Sequence, residues 1–292
     1  MNVPATAPGA GAGSESGASA DSASASGGGG YLLANRLDGA DIRLAAIAEL
    51  FDPVTRRNLD ATGLSDGWRC WEVGAGGPSV SAWLAERVGP DGSVVATALD
   101  LSRFGEPPDG VTALVHDVTS NPPPGGPFDL VHARLVLVHL PERDEVVSTL
   151  VRSLRPGGWL VLEDADPALQ PLACIDERGP DEALANKVRA GFRALLADRG
   201  ADLAFGRTLP DRMRAAGLVD VTAEAWFPVT GPIGTVLERV TVEQMRPGLL
   251  TAGLVSEAEV ERHLANLDAG RLDLTTAPLI STRGRQPDTT GG

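Results

Sequence analysis

Between Trp68 and Asp164 the chain alternates between two hydrophobic patterns. Apolar runs of strand length stand at RCWEVG (69–74), SVVATAL (93–99), TALVH (112–116), FDLVHA (128–133) and WLVLED (159–164). Apolar residues at helical spacing occupy VSAWLAERV (80–88) and a segment around 142–154. Nearly continuous apolar strands that alternate with helices are typical of parallel strands covered on both faces. The pattern therefore predicts an α/β fold with helices on both sides of a mostly parallel sheet.

Amphipathic or low-complexity segments precede this region. Residues 31–52 carry apolar side chains at helical spacing, including Leu44 and Phe51, and we expect a short second helix to end near Leu59. Residues 1–30 consist mostly of Gly, Ala and Ser, without Lys or Arg. Such a segment buries almost no apolar surface, so it is predicted to be a disordered tail.

Helical and strand signals continue after the alternating region. Residues 181–199 predict a helix and residues 219–227 a strand. Ser256 and Glu259 have the spacing of a capping box at the start of another helix. Residues 277–285 predict a last strand, which would pair antiparallel with the sheet.

A glycine-rich loop, EVGAGGPS (72–79), leaves the first strand and enters a helix. Glycines let the backbone turn tightly and let a ligand approach it, and a helix N-terminus suits an anionic group. A dinucleotide loop would carry a third glycine where Ser79 stands. A loop for S-adenosylmethionine carries instead an acid two residues before its first glycine, and Glu72 is that acid. A tight strand–helix turn without a ligand is the alternative.

Further stretches follow this loop in a diagnostic order: VVATALD (94–100), HDVTS (116–120), FDLVHARLVLVHLPER (128–143) and LRPGGWLVLED (154–164). By these stretches the chain resembles the class I S-adenosylmethionine-dependent methyltransferases, in the small-molecule branch that is abundant in actinobacteria. The resemblance covers about residues 31–285. It implies a Rossmann-like, seven-stranded, mostly parallel sheet with an antiparallel last strand, and S-adenosyl-L-methionine as cofactor across the strand ends.

The resemblance also implies a division of the chain and a set of cofactor-binding positions. A disordered tail (1–30) precedes an N-terminal helical cap (31–64) and a methyltransferase core (65–292), in which an insert at about 165–200 walls the substrate pocket. The methionine part would lie near Glu72 and the glycines, the adenine near Asp117, and the sulfonium above His132. The expected cofactor contacts are Tyr31, Glu72, Gly74, Ala75, Gly76, Leu99, Asp100, Asp117, Val118 and His132.

Two positions depart from the family pattern. The family usually holds both ribose hydroxyls with an acid at the end of the second strand, where this chain has Ala98. Asp100 lies two residues further on and shares a strand face with position 98, so it is a candidate replacement. The alternative is that Asp100 caps a short helix beginning at Leu101. Pro78, the second departure, stands where the family often has glycine, and removes one N–H donor.

Methyl transfer to a hydroxyl needs a base near the acceptor, and histidine is the usual choice near neutral pH. His139 and His132 lie at or after the end of the fourth strand, and we expect one of them to act as base or substrate orienter. Structural, hydrogen-bonded histidines are the alternative for both. His116 is interpreted as a packing residue, and His263 as a residue on the polar side of the late helix.

Two residues of the N-terminal region have open roles. Tyr31, the only tyrosine, would stack on the cofactor or donate a hydrogen bond to it, or else anchor the start of the ordered chain. Arg43 is interpreted as an exposed helix arginine, with pairing to the methionine carboxylate as the alternative.

Composition restricts the partners. The formal net charge of −14 argues against a nucleic-acid substrate and favours a small neutral or cationic one. No apolar run is long enough to span a bilayer, and no signal peptide is recognised, so we expect a cytoplasmic protein without a membrane partner. Cys70 and Cys174 lack metal-ligand spacing and are expected to be core thiols, so no metal site is predicted. The sequence is compatible with a monomer and with a homodimer.

Three functions are compatible with these observations. The leading hypothesis is S-adenosylmethionine-dependent methylation of a small molecule, a secondary metabolite, at oxygen, nitrogen or carbon. A second hypothesis keeps the fold but assigns it a non-methylating step such as cyclisation or rearrangement, because Ala98 and Pro78 weaken the cofactor grip. A binding module without activity is the third.

Overall fold

Seven strands of the computed structural model form one sheet in the order β3-β2-β1-β4-β5-β7-β6. The structure describes residue 1 and residues 37–229 and 231–288. Residues 2–30 of the predicted tail therefore lie outside the described residues, and so does Tyr31. The strands are β1 (Arg69–Val73), β2 (Ser93–Ala98), β3 (Val111–Val115), β4 (Phe128–Arg134), β5 (Leu154–Ala165), β6 (Val219–Trp226) and β7 (Leu279–Arg285).

The strand directions confirm the predicted fold class. Strands β1 to β5 pair in parallel, whereas β7 pairs antiparallel with both β5 and β6. From β1 the chain proceeds outward to β2 and β3, then returns to place β4 on the other side of β1. In open α/β sheets this reversal leaves a crevice at the carboxyl ends of the two central strands, where ligands bind. The crevice here lies between the ends of β1 and β4.

Seven α-helices and one 3₁₀ turn are found in residues 37–229 and 231–288. They are α1 (Ala40–Asp60), α2 (Ser79–Val88), the 3₁₀ turn (Leu137–His139), α3 (Arg143–Arg152), α4 (Pro180–Asp198), α5 (Phe205–Ala215), α6 (Pro232–Thr251) and α7 (Glu257–Asp268). None of these helices is both long and apolar enough to cross a membrane.

Alternate residues of the central strands serve two cores. Trp71 packs on one face, 5.6 Å from the Phe128 ring, in the cluster that contains α3 and α5. Cys70, a buried free thiol as expected, faces the opposite side and packs with Leu84 of α2. Glu72 shares the face of Cys70, because side chains two residues apart on a strand point the same way. The acid of the glycine loop therefore lies on the side of the sheet that α1 and α2 cover.

The prediction of two helices that meet near Asp52 was wrong. Helix α1 runs without interruption from Ala40 to Asp60, with Pro53 inside it. Proline removes one backbone donor from a helix, but it does not end the helix when packing holds both sides. Here Phe51 and Val54 flank the proline and pack together with Leu279 of β7.

Helix α6, which the sequence analysis did not predict, binds the start of α1. Gln244 of α6 accepts a hydrogen bond from Arg43 Nε at 3.0 Å and donates one to the Asp38 carbonyl at 2.9 Å. Gly39 begins α1 with a φ of 74°, and a Cβ there would lie 2.8 Å from Val240 Cγ2. Helices α1 and α6 therefore fit closely against each other at this point.

Helices α4, α6 and α7 share a small apolar core of their own, formed by residues such as Val188, Leu249 and Val260. The capping box at the start of α7 is confirmed, with both reciprocal bonds between Ser256 and Glu259.

The interpretation of His263 as a residue on the polar side of its helix was wrong. His263 is fully buried, and its Nε2 lies 3.5 Å from Glu238 of α6.

Candidate cofactor and active site

The glycine loop stands at the crevice between β1 and β4. Gly74 directly follows β1 with a φ of 72°, a conformation that favours glycine. The Ala75 N–H donates to the Thr97 carbonyl of β2 at 2.8 Å, so this donor is bonded to the sheet and not to a ligand. Pro78 is the N-cap of α2, and Ser79 is the first helical residue. The loop thus brings the start of α2 to the ends of the central strands.

Neighbouring side chains fill the space beside two of the glycines. A Cβ at Gly74 would overlap with Val136 Cγ2, which follows β4, and a Cβ at Gly76 would lie 2.5 Å from Leu44 Cδ2 of α1. Nothing lies within 4 Å of the corresponding point at Gly77. The absence of a side chain at Gly74 and Gly76 therefore lets the loop pack against both α1 and the segment after β4.

Glu72 presents a buried carboxylate at the base of this loop. The residue is 6 % exposed, and Glu72 Oε2 has no hydrogen-bond partner among the residues that the structure describes. Burial raises the pKa of Glu72, while the charges of His132 and Arg134 oppose this rise. A buried polar atom without a partner is costly. An ammonium group such as that of S-adenosylmethionine would satisfy this oxygen, so the residues present fit the implied cofactor.

A layer of buried polar residues lies between α1 and the sheet, next to Glu72. We call it the α1 polar layer, and it comprises Asp52, Thr55, Glu72, His132, Arg134, Glu163 and Ser281. Arg134 of β4 bonds to α1 twice, through Asp52 Oδ1 at 2.9 Å and Thr55 Oγ1 at 2.9 Å. These bonds attach α1 to the strand that ends at the crevice.

Glu163 is the most connected member of the α1 polar layer. Its carboxylate accepts hydrogen bonds from Thr55 Oγ1 of α1 and from Ser281 Oγ of β7, the latter at 2.6 Å. His132 Nε2 lies 3.4 Å from Glu163 Oε2. Burial alone would raise the pKa of Glu163, but the hydrogen bond and charge of His132, together with Arg134 and Ser281, outweigh it and lower the pKa. Glu163 is therefore held as a carboxylate inside the protein.

His132 lies in this layer rather than on an open surface. The residue is 1 % exposed, beneath α1, and its Nε2 faces Glu163. His132 Nδ1 has no hydrogen-bond partner in the described part of the chain. This position favours the structural alternative over direct proton transfer from an acceptor. It also places the ring beside Glu72, because the two residues are register partners on β1 and β4.

His139 lies outside this layer, in the 3₁₀ turn after β4. Burial, together with the charges of Arg43 and Arg143, lowers the pKa of His139 to about 4. The ring is therefore neutral at physiological pH. Arg43 is only 3 % exposed, so its interpretation as an exposed helix arginine was wrong.

The 3₁₀ turn that carries His139 is fixed by an acid that sequence reasoning did not single out. Asp164, at the end of β5, accepts a hydrogen bond from the Leu137 N–H at 3.1 Å. Burial raises the pKa of Asp164 well above its usual value, against the opposing hydrogen bonds from the turn. The adjacent acids Glu163 and Asp164 end an otherwise apolar strand, and that pattern was the available signal for both.

Asp100 forms a local turn after β2. The Ser102 N–H donates to Asp100 Oδ1 at 2.8 Å, and a turn follows in which the Phe104 N–H bonds to the Leu101 carbonyl at 2.9 Å. The short helix at Leu101, which the alternative interpretation of Asp100 requires, does not form. Leu99 is 65 % exposed beside it, whereas Ala98 is buried in the sheet.

Asp117 is also engaged by its own loop. Asp117 Oδ1 accepts hydrogen bonds from the Thr119 N–H at 2.9 Å and the Thr119 hydroxyl at 2.7 Å. The Thr119 hydroxyl is the main reason why the pKa of Asp117 is lowered. Val118 packs partly buried against the core cluster of Trp71. Gly74 and Leu99 directly follow β1 and β2, and Asp117 lies two residues after the end of β3, so all three stand at the carboxyl ends of neighbouring strands. In the described residues, no group of three or more His, Cys, Asp or Glu could hold a metal ion.

Comparisons with known proteins agree with this site. A family described as "Methyltransferase domain" matches residues 71–162. Nocamycin O-methyltransferase of Saccharothrix syringae is 34% identical over 206 residues, which are 61% of this chain and 71% of that protein. The C-methyltransferase UbiE of ubiquinone and menaquinone biosynthesis, from Vibrio parahaemolyticus, is 30% identical over 130 residues, which are 41% of this chain and 50% of that protein.

Solved structures show the same fold. Phosphoethanolamine N-methyltransferase 2 of Haemonchus contortus, in complex with S-adenosylhomocysteine, superposes with a TM-score of 0.52 and 16% identity, covering 88% of this chain and 59% of that chain. The YcgJ protein of Bacillus subtilis gives a TM-score of 0.51 and 14% identity, over 80% of this chain and 99% of that one. This chain therefore spans only about half to two thirds of the length of some relatives.

The chain belongs to the class I S-adenosylmethionine-dependent methyltransferases. The nocamycin relative establishes the family, and the strand order, the glycine loop and the Glu72 carboxylate agree with it. S-adenosylmethionine is the cofactor of this enzyme.

The packing beside Gly74 leads to a first prediction. We expect Gly74→Ala to lower the free energy of unfolding by roughly 2–5 kcal/mol, because it combines a left-handed backbone with overlap against Val136. Gly77→Ala is the matched control in the same loop, and we expect a change within about 0.5 kcal/mol. Urea denaturation of the three proteins measures both values. Equal stability of the two variants would contradict the packing described for Gly74.

His139 gives a prediction for the dependence of stability on pH. The folded protein binds this proton only near pH 4, whereas the unfolded chain binds it near pH 6.5, so stability falls as the pH drops between these values. His139→Gln removes this loss. Relative to pH 7, we expect the variant to gain about 2 kcal/mol over the wild type at pH 4.5, measured by urea denaturation. A difference between the two proteins that does not change with pH would contradict the buried, neutral state of His139.

Proposed function

We propose that this protein transfers the methyl group of S-adenosylmethionine to a small-molecule acceptor, a secondary metabolite, at oxygen, nitrogen or carbon. The single observation that carries the proposal is the unpartnered Oε2 of buried Glu72 beside the glycine loop. The named activities of relatives support the substrate class. They include nocamycin O-methyltransferase and the methyltransferase GfsG of Streptomyces halstedii, which is 28% identical over 156 residues.

Within this proposal each strand end holds one part of the cofactor. The Glu72 carboxylate binds the methionine ammonium, and the N-terminus of α2 lies beside the loop. Asp100 binds the ribose with the carboxylate that also accepts from Ser102. Asp117 and Val118 face the adenine. Tyr31 lies outside the described residues. When bound, S-adenosylmethionine supplies an electrophilic methyl group on a sulfonium.

His139 is the better of the two histidine candidates for contact with the acceptor. It lies in the turn after β4 and keeps an unprotonated ring nitrogen at neutral pH, because its pKa is about 4. A base with so low a pKa removes a proton weakly from an alcohol, since catalysis is most efficient when the pKa lies near the working pH. We therefore assign to His139 the orientation of the acceptor by a hydrogen bond, rather than full deprotonation.

The insert after β5 forms a wall of the substrate pocket in this proposal. Asn186 of α4 bonds to both backbone groups of Cys174, at 2.8 and 3.1 Å, and so fastens the insert to its helix. Asp166, at the start of the insert, accepts two bonds from the Arg207 guanidinium at 2.5 and 2.6 Å. A loop fastened at both ends presents a defined surface, which is what discrimination between acceptors requires.

A second candidate is a reaction without methyl transfer on the same scaffold. One observation favours it: Ala98 offers no carboxylate to the ribose, and an oxygen of Asp100, its candidate replacement, is already bonded to Ser102. A weak cofactor grip would suit an enzyme that uses the scaffold for cyclisation or rearrangement.

Transfer of a labelled methyl group separates the two candidates. With ¹⁴C-methyl S-adenosylmethionine and a panel of small-molecule acceptors that offer oxygen, nitrogen or carbon nucleophiles, we expect label in the product. Glu72→Gln should weaken S-adenosylhomocysteine binding in calorimetry by about tenfold to a hundredfold, because a charge-assisted bond is lost. Glu86→Gln, an exposed position on α2, is the matched control and should bind like the wild type. A product with unchanged mass and altered connectivity would support the second candidate and contradict methyl transfer.

The role of Asp100 has a test of its own. We expect Asp100→Ala to reduce the affinity for S-adenosylhomocysteine by about tenfold to a hundredfold, because a carboxylate that bridges two hydroxyls is removed. Asp109→Ala, an exposed acid on the same connection between β2 and β3, is the control. Both proteins are titrated calorimetrically beside the wild type. Unchanged affinity in Asp100→Ala would show that Asp100 serves only the turn at Ser102.

A further inference from the structure

Two buried polar atoms without partners occur side by side at the ends of β1 and β4. Glu72 and His132 are register partners on these parallel strands, so their side chains lie next to each other on the face that α1 covers. In residues 37–229 and 231–288, neither Glu72 Oε2 nor His132 Nδ1 has a hydrogen-bond partner. Two unsatisfied neighbours inside a protein are costly unless a ligand or water joins them. Their placement points to a shared function.

The opposite side of the His132 ring is fixed by Glu163. His132 Nε2 faces Glu163 Oε2 at 3.4 Å, and Glu163 is held in turn by Thr55 of α1 and Ser281 of β7. A chain of contacts therefore runs from α1 through Glu163 to His132, whose register partner on β1 is Glu72. The network constrains one ring nitrogen, and the other is buried without a hydrogen-bond partner among the described residues.

We propose that His132 is a positioning residue for the cofactor: it keeps Glu72 charged and directed at the ammonium group, while Glu163 fixes the His132 ring. The proposal rests on the role given above to Glu72 as the partner of that ammonium. His132 does not touch the reacting atoms. This role differs from that of a base, because His132 acts through the binding of S-adenosylmethionine and not through the acceptor.

The charges around Glu72 explain why such help is needed. Burial raises the pKa of Glu72, and the neighbouring acid Asp52 of α1 raises it further. His132, Arg134 and the Ser81 hydroxyl of α2 lower it, with His132 having the largest opposing effect. A protonated Glu72 cannot form an ion pair with an ammonium group. Without His132, the carboxyl would stay protonated to a higher pH, and cofactor binding would require a more alkaline solution.

A double-mutant cycle on the full chain tests the proposal, with calorimetric binding of S-adenosylhomocysteine from pH 6 to 9. His132→Gln retains an amide donor toward Glu163 but removes the imidazole that lowers the pKa of Glu72. We expect about tenfold weaker binding at pH 7 and a rise of about one pH unit in the midpoint of the binding profile. In the Glu72→Gln background the same substitution should produce no further loss, because its partner is already gone.

The cycle distinguishes this role from a purely structural one. Equal losses from His132→Gln in both backgrounds, with an unchanged pH midpoint, would overturn the proposal, since they would mean that His132 acts independently of Glu72. Melting temperatures identify the folded variants. If His132→Gln does not fold, His132→Asn takes its place in the same cycle, where coupling supports the proposal and additivity contradicts it.

The outcome also separates this inference from the proposed function. If the two substitutions are coupled but the wild type transfers no labelled methyl group, only the proposed function is contradicted. If the wild type transfers the label but the effects of the two substitutions are additive, only this inference is contradicted. A Glu72→Gln variant that binds as well as the wild type overturns the positioning role, because it removes the partner through which His132 acts.

Discussion

The burial of the Glu163 carboxylate is the constraint on which the site depends. An ionised carboxylate inside a protein is tolerated only when donors and positive charges surround it, and Glu163 obtains them from three elements: Thr55 of α1, His132 of β4 and Ser281 of β7. Since no single element satisfies this group, α1, β4 and β7 must all be in place around it. One face of the N-terminal helix α1 therefore belongs to the interior, and Thr55 on that face is fully buried.

This arrangement explains why the two histidines at the fourth strand have different environments. His132 lies on the strand itself and is enclosed by α1, whereas His139 lies beyond the strand in a turn that Asp164 holds. Consecutive acids at the end of β5 therefore support two different structures, because neighbouring residues of a strand point to opposite faces. Glu163 faces α1, and Asp164 faces the turn. The dipeptide Glu163-Asp164 therefore forms hydrogen bonds on both faces of the sheet, near the carboxyl end of β5.

Much of the fold was predictable, because it depends on local patterns. The period of apolar residues located all seven strands, although β5 begins at Leu154 rather than at Trp159, and the spacing of Ser256 and Glu259 located the start of α7. The site was less predictable, because its key contacts join residues distant in sequence. Nothing local to Thr55 or Arg43 indicates burial, since the neighbours that enclose them come from β5 and α6. The continuous helix across Pro53 likewise reflects packing against β7, which propensity does not contain.

The close fit between α1 and α6 has a consequence for engineering this enzyme. Gln244 contacts Arg43 and the backbone of Asp38, and Val240 occupies the space that a side chain at Gly39 would need. Two segments separated by about 200 residues of sequence therefore behave as one exchangeable module. A chimera that takes only one of them from a relative would join mismatched surfaces, whereas a chimera that takes both would keep the contacts between α1 and α6 intact.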